Sequence, residues 1–136
     1  MQSFVTLLTR DGQYRKLELR AAFLLYLAVL VCGSIPGARA ELGELAPGLW
    51  LHLLTYSLIA LLLFCGVDGR VWSKACKAVL IVAAMGALDE YVQSFFSYRT
   101  ASFMDWFIDI NAALLTSAVL SLLWPNADGG KSEEAS

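Results

Sequence analysis

The chain has 136 residues, of which 58% are hydrophobic and 16% charged, and its mean hydropathy is +0.62. A soluble domain carries about 25% charged residues, and a chain this short has no interior large enough to hide so much apolar surface, so lipid is its natural solvent. The net charge of −2 excludes a basic nucleic-acid-binding surface. The three cysteines, Cys32, Cys65 and Cys76, exclude a complete internal disulfide framework and read as small buried hydrophobes.

A helix rises 1.5 Å per residue and the hydrocarbon core is about 30 Å thick, so a span needs about 20 residues. Residues 1–18 read as an N-terminal segment on the cytoplasmic side. The first predicted span runs from Leu19 to Ile35 and stops at Pro36-Gly37. The second runs from Leu49 to Val67 and ends before Asp68-Gly69. The third begins near Ala75, stays apolar to Leu88 and continues as a more polar helix through Gln93 and Phe96. The fourth runs from Trp106 to Trp124 and stops at Pro125; residues 125–136 are Gly, Ser and Glu rich and are expected to be disordered. Trp50, Trp72, Trp106 and Trp124 fall at span ends, the headgroup level that amphipathic rings prefer. The expected fold is all-α, a four-transmembrane-helix bundle over 19–124.

Lys and Arg divide unequally between the two sides. Arg10, Arg15, Lys16, Arg20, Arg70, Lys74, Lys77 and Lys131 fall on one side, and only Arg39 and Arg99 on the other. The positive side is cytoplasmic, which places both termini inside. An alternative is cleavage: Ala38-Arg39-Ala40 after an apolar run resembles a signal-peptidase site, although the preceding segment is long and Pro36 and Arg39 sit awkwardly near it.

Ionisable residues inside spans are costly and mark function by default. Here they share a depth. His52 and Tyr56 are i and i+4 in the outer half of the second span, Asp89, Glu90 and Gln93 end the third, and Asp105 and Asp109 are i and i+4 at the start of the fourth. Arg99 lies in the connection between the third and fourth. Each also has a structural reading. Ser102 and Asp105 fit a capping box, with Ser102 as N-cap and Asp105 at the third helical position. Arg99 fits a clamp on Glu90 or Asp105, and His52 and Tyr56 fit hydrogen-bonded core positions. Four carboxylates with one fixed cation cannot all stay ionised in a partly desolvated site. A proton, a divalent metal or an amine on a ligand would relieve them, and the residues do not choose a cofactor among these.

The stretch Asp89-Glu90-Tyr91-Val92-Gln93, followed by Arg99, Ser102, Asp105 and Asp109, resembles the signature of the VanZ-like family. His52 and Tyr56 resemble its His-x-x-x-Tyr, and Ile35-Pro36-Gly37 also fits. The chain departs at Gly48-Leu49, where many members carry Asp-Lys, at Ser97-Tyr98, where a Pro-Gly is frequent, and at Ala112, where a Gly is common. The resemblance covers about residues 20–124 and implies a multi-pass protein of the bacterial cytoplasmic (inner) membrane. The family's name-giving member is associated with low-level teicoplanin resistance.

Three functions follow as expectations. The first is a binding or envelope-modulating protein whose outer-leaflet residues hold a lipid headgroup, a lipid-linked wall precursor or a glycopeptide. The second is a hydrolase or transferase acting on a lipid phosphate, with the carboxylates and His52 as acid, base or metal ligands, although no dedicated nucleophile motif is present. The third is an accessory subunit or homo-oligomer built through small residues: Ala83, Ala84, Gly86 and Ala87 on the third span, and Ala112, Ala113 and Ser117 on the fourth.

Overall fold

The computed structural model describes residues 12–38, 41, 48–98 and 102–124. Arg99, Arg39 and the tail from residue 125 lie outside the described residues. Four helices account for most of the rest: α1 (Gly12–Ser34), α2 (Gly48–Gly66), α3 (Val71–Gln93) and α4 (Phe103–Leu123). At 19 to 23 residues each, they are about 28–35 Å long, the thickness of a bilayer core. The chain is an all-α, multi-pass membrane protein built as a four-helix bundle.

The helix ends depart from the hydropathy boundaries for identifiable reasons. α1 starts at Gly12 rather than Leu19, because helical hydrogen bonding does not require apolar side chains and the long stems of Arg15, Lys16 and Arg20 can reach water from within a helix. α3 starts at Val71 and stops at Gln93, where the Ser94 N–H bonds back to the Glu90 carbonyl. α4 starts at Phe103 because Ser102 caps it, its side chain accepting from the Asp105 N–H at 3.3 Å. The expected capping residue and its acidic partner in the first turn are therefore in place.

The helices alternate in direction. α2 is central: it packs on α1, α3 and α4, and contributes Tyr56, Ile59, Ala60, Leu63 and Phe64 to the core. α1 is peripheral, burying only Ala22 and Tyr26. The polarity is inverted relative to a soluble protein. Leu24, Leu54, Leu80, Leu115 and Leu122 point outward, whereas Asp89, Gln93, Asp109 and Ser117 are buried. In lipid the apolar exterior costs nothing, and helix association rests on close packing and interhelical hydrogen bonds. Glycine permits the closest approaches. A Cβ at Gly66 would stand 2.7 Å from Leu19 Cγ and 3.1 Å from the Arg15 carbonyl oxygen on α1; one at Gly86 would stand 3.0 Å from Asp109 Oδ2 and from Trp106 Cδ1 on α4. Of the expected small-residue stripes, Gly86, Ala112, Ala113 and Ser117 are buried, while Ala84 and Ala87 face outward.

The tryptophans divide. Trp50 and Trp72 are exposed, as an interfacial belt requires. Trp106 turns inward and donates from its indole nitrogen to the Ala83 carbonyl at 2.9 Å. Trp124 packs edge-on against Phe64, with Lys74 Nζ 4.8 Å from its ring centre. That lysine belongs to a mixed-charge end of the bundle, formed by the start of α1, the α2–α3 turn and the end of α4. There Arg15 pairs with Asp68, Lys77 donates to the Asp68 carbonyl at 2.7 Å, and Glu18 is partly buried near Arg15 and Lys74. The basic residues of this end are expected from the sequence; their acidic partners Asp68 and Glu18 emerge only from the packing.

Candidate functional site: an acidic groove between helices

The opposite end is formed by the end of α1, the start of α2, the end of α3 and the start of α4. His52 is four residues into α2 and Asp109 six residues into α4, about 6 Å and 9 Å below the helix starts. These positions bring His52 Nδ1 to 2.9 Å from Asp109 Oδ1, and His52 Nε2 to 3.8 Å from Asp105 Oδ2. The imidazole is thus held between two carboxylates one turn apart on the same helix. Tyr56, one turn below His52, stacks with it at 6.0 Å between ring centres and donates its hydroxyl to Asp89 Oδ2 at 3.5 Å, the long limit of a hydrogen bond.

Adjacent residues on α3 diverge because a helix turns about 100° per residue. Asp89 and Gln93, i and i+4, face the interior and are 2% and 3% exposed. Glu90 leaves that face and accepts a hydrogen bond from the Ser102 N–H at the entry to α4. Its role here is to fix the start of α4, while Asp89 belongs to the interior. Gly86, one turn below Glu90, leaves the space in which Asp109 sits. Asp109 Oδ2 and Gln93 Oε1 are buried with no hydrogen-bond partner among the described residues, a costly state for groups in a low-dielectric interior.

A cavity of about 330 Å³ opens at this level between α1 and α2, with α3 behind it. Its wall is apolar, from Leu25, Val29 and Leu51; its floor is polar, from His52, Tyr56, Asp89 and Gln93. Asp109 and Asp105 stand behind His52. The volume lies at the lower end of the range for small-molecule sites. α1 closes the groove without joining the polar set. It is tethered by Tyr26, which donates to the Met85 carbonyl at 2.8 Å, and by Tyr98, which donates to the Ser34 carbonyl at 2.6 Å.

Of the eight residues singled out from sequence, His52, Tyr56, Asp89, Asp105 and Asp109 form one contact chain, Gln93 shares the groove with them, Glu90 caps its edge, and Arg99 lies outside the described residues. The contribution of α1 was not foreseen. Leu25, Val29 and Gly33 carry no chemical signal in a linear reading, and only the packing of α1 on α2 gives them a role. Comparison of the chain with protein-family models, with curated proteins and with solved structures returns no match.

Proposed function

We propose that the chain is a VanZ-like protein of the bacterial cytoplasmic membrane, with both termini cytoplasmic and the acidic end outward, and that its groove holds the head of an amphipathic or lipid-linked cell-envelope molecule. The groove itself carries this reading: an apolar wall continuous with the lipid-facing surface, above a floor of buried polar groups. Such a shape suits a molecule with a polar head and an apolar tail, because each part leaves an environment like the one it enters. The uneven split of Lys and Arg supports the orientation.

Ala28 lines the groove from an exposed position on α1, so Ala28→Trp should fill it without disturbing the core. Mass spectrometry of protein purified in native lipid should find an amphiphile with wild type and much less of it with Ala28→Trp. Equal recovery from both would sink the reading. Single cysteines placed in 37–48 and 97–103 should label from outside intact cells.

A second reading, hydrolysis or transfer on a lipid phosphate, draws on the placement of His52 between Asp105 and Asp109, which orients an imidazole for proton transfer. It requires turnover of a lipid phosphate that His52→Gln abolishes while binding persists.

A further inference from the structure

The floor of the groove holds a carboxylate and, among the described residues, no Lys or Arg; apart from His52 its donors are neutral hydroxyl and amide groups. Asp89 is 2% exposed, and its described partner is one phenolic hydroxyl at 3.5 Å. Gln93 lines the same cavity, and its Oε1 is buried with no partner among the described residues. Every Lys and Arg among the described residues, namely Arg15, Lys16, Arg20, Arg70, Lys74 and Lys77, lies toward the mixed-charge end. His52 does not reverse the sign. If it is doubly protonated, its charge is answered by Asp105 and Asp109, and Asp89 remains. A buried carboxylate whose described partner is one long phenolic hydrogen bond is stabilised by a cation that brings its own donors. The acceptors on the floor are one carboxylate and one amide oxygen, which suit a cation that binds through N–H groups. A primary ammonium carries three donors on one atom, enough to meet a carboxylate oxygen of Asp89 and Gln93 Oε1 together.

We propose that the groove selects a membrane amphiphile whose head bears a primary ammonium, with the nitrogen on Asp89 and Gln93 and the tail along Leu25, Val29 and Leu51. This rests on the binding reading above and adds the chemical class of the ligand. The tail is part of the assignment: the wall is apolar and opens between two lipid-facing helices, so the molecule comes from the bilayer rather than from water.

The test uses the full-length chain in maltoside detergent and three phospholipids with identical acyl chains. Phosphatidylethanolamine carries a primary ammonium, phosphatidylcholine a fully methylated one and phosphatidylglycerol none, while the phosphate is constant. Native mass spectrometry reads the lipid retained. Phosphatidylethanolamine should bind about tenfold tighter than phosphatidylglycerol, the size expected of one charge-assisted hydrogen-bonded contact, with phosphatidylcholine near phosphatidylglycerol. Asp89→Asn should bring the ratio of phosphatidylethanolamine to phosphatidylglycerol retention close to one. If Asp89→Asn does not fold, the three-lipid ranking on wild type decides alone.

Several results would overturn the proposal. Phosphatidylglycerol bound as tightly as phosphatidylethanolamine, with both lost in Ala28→Trp, rejects the ammonium and leaves the groove reading standing. No lipid affected by Ala28→Trp rejects both. Free ethanolamine competing as well as the lipid rejects the bilayer source. A preference appearing only in Arg99→Gln identifies the chain's own cation as the occupant.

Discussion

The two ends of the bundle handle charge in opposite ways. At the mixed-charge end, Arg15, Asp68, Lys74 and Lys77 meet partners of opposite sign or backbone carbonyls near the helix termini, and Asp68 is largely open to solvent. At the acidic end, Asp89 and Asp109 are drawn between helices, with an imidazole and a phenol as their described side-chain partners. The first arrangement is what a membrane protein needs at an interface, where water screens the charges and each pair is worth little. The second is maintained against desolvation, and ionisable residues held at such depth mark function by default. That difference is the reason for locating function at the acidic end.

The largest expected effect comes from breaking the buried pair. His52→Leu leaves both oxygens of Asp109 unpartnered and should cost about 3 kcal/mol, read as a lowered Tm in detergent. The double variant His52→Leu with Asp109→Leu should be more stable than His52→Leu alone, because removing both partners removes the unmet charge. If Arg15→Ala lowers Tm as much as His52→Leu does, the contrast between the ends is wrong.

The two close-approach glycines sharpen the contrast. Overpacking costs about 1–3 kcal/mol, partly offset by about 1 kcal/mol of helix propensity when alanine replaces glycine. Gly66→Ala and Gly86→Ala should therefore each cost about 1 kcal/mol net. Gly86→Ala also presses on Asp109 and Trp106, so it alone should reduce lipid retention. Equal loss of lipid in both would remove the distinction. Of similar size, Tyr26→Phe and Trp106→Phe each delete one interhelical hydrogen bond and should cost about 1 kcal/mol in chemical denaturation.

The smallest effect belongs to Asp68. The hydrogen bond from Arg15 holds its carboxyl below the usual aspartate value. A depressed folded-state pKa gives stability that is present above the ordinary value of about 3.9 and is lost as pH falls through the lowered one. Wild type should be slightly more stable than Asp68→Asn at neutral pH, and the gap should close in acid and in high salt. A gap that widens in acid reverses the sign and the explanation.

The number of spans, their order and the common depth of the polar residues were legible because apolar runs about 20 residues long and i, i+4 spacing are local properties. The Ser102 cap was legible for the same reason. The pairing was not. Depth alone does not say that His52 meets Asp109 rather than Asp89, since that depends on the rotation of α2 against α4. Nor does it say that Glu90 turns away from Asp89 to the start of α4. The start of α1 was missed because Arg15 and Lys16 interrupt the apolar run without interrupting the helix, and the pairing of Arg15 with Asp68 was missed with it.

The tethers that hold α3 between α1 and α4 end on its main chain. Tyr26 bonds the carbonyl of Met85 from one side, and Trp106 bonds that of Ala83 from the other. A main-chain oxygen survives side-chain replacement, so these grips ask for no particular chemical group at 83 and 85, only for side chains that fit the apolar packing. The demand for a particular chemical group falls on the donors, Tyr26 and Trp106. Mutational tolerance is therefore asymmetric at these two contacts: positions 83 and 85 can exchange side chains of similar size and polarity, while Tyr26 and Trp106 on the neighbouring helices are the fixed residues that keep α3 in register.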